Sequence, residues 1–305
     1  MPATATAEEQ APPTHRESRS WGRAWEDIAE GVKQRELWGH LGWQDIKQRY
    51  RRSVIGPLWI TLSMAITAAG LGLLYSQLFG SPIGTFLPYI TVGFIVWNFI
   101  LGCLTEGTDT FIRNEGLIKH LPAPLTVYAL RMVWRLTLMF AHNMLVYFVV
   151  LAIFWSYLTT PGYQISPGGL QQPGLSWNVV LAIPAFAVLA FNGGWVAILF
   201  GIISTRYRDI PQVIISLTQL LFFMTPIVWT TDILTRVGPD GGGRWRVLVA
   251  ELNPLYHYIE ILRAPLLGNT QSWHHWAVVG AFTVLGWAVA LLAMRNYRAR
   301  ISYWV

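Results

Sequence analysis

The chain has 305 residues, 53% of them apolar, 14% aromatic and only 12% charged. Soluble domains carry about 25% charged residues. Half that share, with a mean hydropathy of +0.39, excludes an ordinary cytosolic globule, and the apolar content with 16 tryptophans excludes a disordered chain. The net charge of +6 is modest and gives no reason to expect nucleic acid as a partner, and the single cysteine, Cys103, allows no intrachain disulfide and is no metal site alone. The composition is that of an integral membrane protein.

In chain order, Met1–Ser20 is small, polar and proline-bearing; it reads as a disordered tail without the apolar segment of a signal peptide. Trp21, Trp25, Ile28 and Val32 then recur at helical spacing with Arg23, Asp27, Glu30 and Lys33 between them. That pattern predicts an amphipathic helix, suited to the headgroup region or to packing on soluble protein. Residues 21–56 are expected to form cytoplasmic interface helices, and 57–305 a transmembrane domain.

A spanning helix needs about 20 mostly apolar residues. Pro57–Phe79, Phe86–Thr105, Trp177–Ser204, Ile210–Thr230 and His274–Met294 qualify, and so does Thr126–Leu158, whose core begins near Trp134 because Arg131 and Arg135 sit near its start. Val247–Leu267 is long enough but holds Glu251, Asn253, Pro254, His257, Glu260, Arg263 and Pro265. Charges at the centre of a span cost about 2.5–3.5 kcal/mol each. Parity agrees. Lysine and arginine cluster before the first span, at Arg113 and Lys119, at Arg206 and Arg208, and at Arg295, Arg298 and Arg300, whereas Gly80–Thr85 and Thr159–Ser176 have none. Six spans put every cluster on one face, as the positive-inside rule expects. The predicted fold is therefore all-α, with six transmembrane helices, both termini cytoplasmic, and an outer re-entrant hairpin at Val247–Leu267 between spans five and six. Asn253-Pro254 starts its second helix, and Pro265 and Gly268 stop it.

No G-x-x-x-x-G-K-[ST] occurs, and the Gly241–Gly243 cluster is followed by Arg244-Trp245, so the chain has no P-loop of its own. There is no H-E-x-x-H or G-x-S-x-G. The histidines are scattered, and His274-His275 read as a solvated interfacial pair; neither a catalytic nor a metal site is expected. Asp109–Leu125 predicts a short amphipathic cytoplasmic helix, through Phe111, Ile112, Glu115, Leu117, Ile118 and Leu121, ended by Pro122. It either docks into a partner or lies on the bilayer. Arg131 and Arg135, one turn apart, either snorkel to lipid phosphates or bind an anionic head group such as a diphosphate; the run Lys47–Arg52 fits both. Two stripes mix polar and aromatic groups: Trp59, Ser63, Thr67, Gly70, Leu74 and Gln77 on the first span, and Gln212, Ser216, Gln219, Phe223 and Pro226 on the fifth. They face another helix or a wet path suited to sugars. Gly193, Ala197 and Gly201 form a small-residue packing ridge.

Arg49–Trp59 (RYRRSVIGPLW) resembles the start of the first span in ABC-2 type polysaccharide export permeases of the Wzm type, which serve O-antigen, teichoic acid and galactan exporters. Asn114–Pro122 (NEGLIKHLP), Tyr207–Ile210, Thr225–Ile227 and Asn253–Leu255 with Arg263 match in order, so the resemblance runs from about Glu36 to the C-terminus. His120–Pro124 departs from the family's aromatic-proline-arginine run. The resemblance implies a six-span half-transporter that pairs with a second copy of itself and with a separate cytoplasmic (Wzt-like) ATPase. It would export polyprenyl-diphosphate-linked polysaccharide across a bacterial inner membrane. ATP and Mg would sit on the ATPase, and this chain would carry no cofactor. Asn114, Glu115, Leu117, Lys119 and His120, with Arg206 and Asp209, would couple to the ATPase. Arg49, Arg51, Arg52, Arg131 and Arg135 would line the lipid-diphosphate entrance. Trp59, Ser63, Thr67, Trp97, Asn98, Gln212, Ser216, Gln219 and Phe223 would line the glycan channel, and Asn253, Pro254, Tyr256, His257, Tyr258, Glu260 and Arg263 the outer gate. The alternatives are a drug or lipid exporter of the same superfamily and a membrane glycosyltransferase. The latter needs patterned carboxylates, which Glu106, Asp109 and Asp209 do not supply.

Overall fold

The computed structural model describes residues 19–51, 54–56, 58–120, 123–236 and 243–305. The expected tail falls outside these apart from Arg19 and Ser20, as do Arg52, Leu121, Pro122 and Gly241–Gly242. Thirteen helices occur among the described residues. They are α1 (Trp21–Lys33), α2 (Arg35–Tyr50), α3 (Leu58–Phe79), α4 (Ile83–Thr108), α5 (Glu115–His120), α6 (Leu125–Ile153), α7 (Trp155–Thr159), α8 (Ala182–Arg206), α9 (Ile210–Met224), α10 (Thr231–Arg236), α11 (Gly243–Glu251), α12 (Pro254–Leu266) and α13 (Trp273–Trp304). A two-residue antiparallel hairpin, Tyr163–Gln164 against Gln171–Gln172, interrupts the all-α pattern between α7 and α8.

Five helical segments are long and apolar enough to cross a membrane: α3, α4, α6, Trp177–Arg206 and α13. They correspond to five of the six expected spans, with α13 running past Met294 to Trp304. The expected span Ile210–Thr230 is helical only as α9, whose 15 residues rise about 22 Å. Thr225 precedes Pro226 and takes an extended conformation with ψ 134°, because the proline ring disfavours a helical residue before it.

The fold is organised around α4, which is buried along most of its length and packs against α3, α6, α8, α9 and α12. Phe99, Phe140 and Phe186 brace α4, α6 and α8 at one level, the last two rings stacked with centroids 4.1 Å apart. Helix α3 turns Ile60, Met64, Ala68, Gly72 and Ser76 toward this core, an i, i+4 stripe that leaves the opposite face uncovered.

Helices α1 and α2 lie across the start of α6. Ser20 caps α1 by accepting from the Arg23 N–H at 3.2 Å. The buried side of α1 is Ala24, Asp27 and Gly31, and the tryptophans Trp21 and Trp25 point outward. The amphipathic helix thus docks by its small and acidic face, leaving much of its apolar face for surroundings outside this chain. The approach is close: a Cβ on Gly31 would lie 2.7 Å from the Thr126 side chain.

The Val247–Leu267 region contains two short helices, α11 and α12, meeting at Leu252-Asn253. Asn253 accepts from the Leu255 N–H at 3.0 Å and Pro254 takes the first helical position. At the other end Gly268 adopts φ +78°. The Gly268 N–H donates to Pro265 O, and Asn269 N–H donates to Ala264 O at 2.7 Å, the paired bonds of a Schellman stop.

Candidate functional site

The loop after α4 is a helical turn, Ile112–Asn114, leading into α5. Phe111 anchors it, fully buried against Gly201, where a Cβ would come within 2.9 Å of its ring. This gives the small-residue ridge on α8 a specific use. Beyond the anchor no residue of α5 is buried: Leu117 and His120 are exposed, and Glu115 and Lys119 bridge at 2.6 Å across one turn. The Glu115 carboxyl is held below its usual range by the Lys119 hydrogen bond, then by the Lys119 charge, with Arg208 adding at longer reach. Arg206 lies over the Trp304 ring, 5.5 Å from its centroid, and Arg208 donates to Trp304 O. Asp209 is exposed at the start of α9.

Behind this surface lies an ion network that joins α2, α4, α6 and the loop. Asp45 accepts from Arg131 Nε at 2.9 Å and from Arg135 Nη1 at 3.0 Å, and pairs with Arg131 Nη2 as well. Arg135 also pairs with Glu106, and Arg131 Nη1 donates to Asn114 Oδ1 at 3.0 Å. Burial pushes the Asp45 carboxyl up, but the Arg131 hydrogen bond and charge, with those of Arg135, outweigh it and hold the group below its ordinary value. Its contribution is complete above the ordinary aspartate pKa and is lost as pH falls through the depressed one. Arg131 and Arg135, expected at a diphosphate entrance, are therefore already partnered by carboxylates. Arg49 stays half-exposed, 4.0 Å from Glu106, and Arg51 is exposed.

A cavity of about 410 Å³ opens above Glu106 between α3, α4 and α6, lined in part by Tyr50, Ser63, Thr67, Asn98 and Asn143. Its two α3 hydroxyls are satisfied by their own helix, Ser63 donating to Ile60 O and Thr67 to Ser63 O. The stripe Trp59, Ser63 and Thr67 on α3 and the stripe Gln212, Ser216, Gln219 and Phe223 on α9 are both exposed. Each lies on a helix packed against α4, so one chain leaves two uncovered stripes flanking a common wall. Asn98 is exposed on that wall, whereas Trp97 is in the core, its ring 5.7 Å from Phe222.

Helix α12 is fastened by polar contacts. Arg263 is 1% exposed. Its Nη1 donates to Pro226 O at 2.6 Å, its Nε donates to Glu260 at 3.1 Å, and its guanidinium covers the Tyr89 ring at 4.0 Å. Asn253 Nδ2 donates to Thr225 Oγ1 at 2.7 Å. Tyr258 donates to Asn192 Oδ1 at 2.9 Å, and Asn192 Nδ2 donates to Thr283 on α13. Pro254 opens the helix, Tyr256 is half-buried and His257 is fully buried. Of the charges that argued against a span here, Arg263 and Glu260 face protein, whereas Glu251 is exposed. Asp27, Asp45, Glu106, Tyr89 and Asn192 are functional-site residues that the sequence does not single out, because their long-range partners lie 29 to 271 residues away in the chain.

A fold of five apolar helical segments of spanning length around a buried central helix, with a short unburied helix carried on a basic loop, is that of a multi-pass membrane protein. The model of the ABC-2 type transporter family matches residues 36–267, most of the chain, and the chain belongs to that family. It is a transport subunit, not an enzyme. Among its relatives are two Klebsiella pneumoniae sequences, each an O-antigen export system permease protein RfbA. They are 25% identical over 191 residues, covering 63% of this chain and 68% of theirs.

Proposed function

We propose that the chain is the membrane half of an exporter that moves polyprenyl-diphosphate-linked polysaccharide from the cytoplasm to the outer face of a bacterial inner membrane. A separate ATPase drives it. The observation that carries this reading is the similarity to an O-antigen export permease over 191 residues. The geometry supports it in two ways. Helix α5 presents Glu115, Leu117, Lys119 and His120 outward from a buried Phe111 anchor, the arrangement of a docking helix that passes force to the span bundle. The stripes on α3 and α9 leave polar and aromatic groups on the surface, where a second copy of the chain would close a path around them. Among the described residues of the expected entrance, Arg49 and Arg51 are exposed and would meet a lipid diphosphate, and Arg131 and Arg135 are held in the Asp45 network.

Replacing Glu115 and Lys119 together with alanine is expected to leave the chain folded, since both side chains are exposed, and to cut ATPase stimulation and export together. Export and ATPase binding equal to wild type would remove α5 from coupling.

In this reading α9 and the bent segment 225–230 complete a sixth crossing, and α11–α12 re-enter from the outer side, shielded by α4, α8 and α13. A single cysteine at Tyr303 is then expected to resist a membrane-impermeant label in intact cells, and one at Gln171 to react. A reactive cysteine at 303 would give an odd number of crossings.

A further inference from the structure

Three histidines from two parts of the chain meet beside the first turn of α12. His257 belongs to α12, and His274 and His275 open α13, yet ligand-capable atoms of all three lie within 4.8 Å of one another. His257 is fully buried, His275 is half-buried and His274 is exposed, so the cluster has a dry floor and an open mouth. His257 Nε2 lies 2.6 Å from the main-chain oxygen of Glu251. A carbonyl accepts only, so Nε2 carries the ring proton and the neutral ring offers a lone pair at Nδ1. That Nδ1 faces His275 Nδ1 at 2.7 Å. An imidazole with one nitrogen tied to a carbonyl and the other presented as a lone pair is the usual setting of a metal-ligating histidine.

We propose that His257, His274 and His275 form a site for one divalent transition-metal ion, with zinc as the best fit. Three neutral imidazoles and a fourth position open to water are a ligand set zinc accepts in tetrahedral geometry. A hydrogen bond between two imidazoles accounts for the His257–His275 contact alone. The chain neighbour of His275 supplies the third ring, His274, exposed and with its centroid 5.3 Å from that of His257. Zinc–nitrogen bonds of about 2.0–2.1 Å put ligand atoms about 3.3 Å apart. Loading therefore widens the Nδ1 pair slightly, shifts the His275 ring proton from Nδ1 to Nε2 so that Nδ1 offers its lone pair, and draws His274 inward by side-chain rotation on the open side. The sequence gives only an adjacent pair of histidines, which reads as solvated; the third ligand arrives through the packing of α12 on α13. A bound ion would tie α12, itself fastened to α4 through Arg263, to the first turn of α13.

The test uses the full-length chain purified without a histidine tag, stripped with a chelator and titrated with Zn²⁺ alone. The wild type is expected to take up about one zinc per chain and to unfold at a higher temperature with zinc than without. His274→Gln removes an exposed ligand and spares the core. It is expected to match wild type in thermal midpoint without zinc, lose the zinc-dependent rise, and bind zinc more weakly by over about 10–100-fold, the range for losing an outer partner. His257→Gln is expected to lose binding as well. No stoichiometric zinc on the wild type, or equal zinc affinity in wild type and His274→Gln, would overturn the site. These readouts do not depend on what the chain exports.

Discussion

Replacing Asp27 with alanine is expected to destabilise the protein by about 3 kcal/mol and to sharply reduce the folded yield from membranes. Asp27 is 1% exposed. It accepts from the Leu125 and Thr126 N–H groups at 3.1 and 3.0 Å, from Thr126 Oγ1 at 2.8 Å, and from Arg298 Nε at 2.7 Å. The first two donors are unpaired ends of α6, and a carboxylate there also meets the positive end of the helix dipole. Arg298 is about one-third exposed and can turn to water, so its share of the loss is small. The stranded N–H groups cannot, and each costs about 1–3 kcal/mol. The thermal midpoint of the detergent-solubilised protein measures this. A midpoint equal to wild type would show that α1 is not held to α6 and α13 by this residue.

The second large effect belongs to Arg263. Arg263→Leu is expected to cost about 3–5 kcal/mol, because it leaves Glu260 in a largely dry site without its partner. It also leaves Pro226 O without a donor and removes the cation over Tyr89. The companion experiment separates the ion pair from the packing. Glu260→Gln combined with Arg263→Leu removes both charges and is expected to recover a substantial part of the loss, since no charge remains stranded. A double variant as unstable as the sum of the singles would mean that Arg263 acts through Pro226 and Tyr89 alone. Either variant also tests how far the Thr225–Trp229 turn depends on α12, because Tyr89 donates to Trp229 O at 3.0 Å from beneath the guanidinium.

The spans were legible because hydropathy and proline positions carry them. Five of the six expected segments contain an apolar helix of spanning length, and Asn253-Pro254 and Gly268 bound α12 where capping chemistry puts its ends. Two things were not legible. The sequence shows that Arg131 and Arg135 share a helix face, but their partner Asp45 lies 86 and 90 residues away, so a network of compensated charge reads locally as a free basic patch. The polarity of Val247–Leu267 argues against a span, but it does not show that Arg263, Tyr258 and Asn253 are turned inward onto α4, α8 and the end of α9. In both cases the deciding information is which distant helix supplies the complementary atom. Thr225 falls between these cases: the proline after it marks the end of α9, and a hydropathy average over Ile210–Thr230 hides that signal.

The central claim is export of a lipid-linked polysaccharide, and it is tested most directly by depleting the chain in its own cell. Polyprenyl-diphosphate-linked polymer is then extracted and its side of the inner membrane determined with an impermeant glycan-cleaving enzyme, first on intact spheroplasts and then on lysed ones. The account predicts that polymer stays protected until lysis, accumulates inside, and disappears from the cell surface. Polymer that reaches the outer face at wild-type levels after depletion would contradict it.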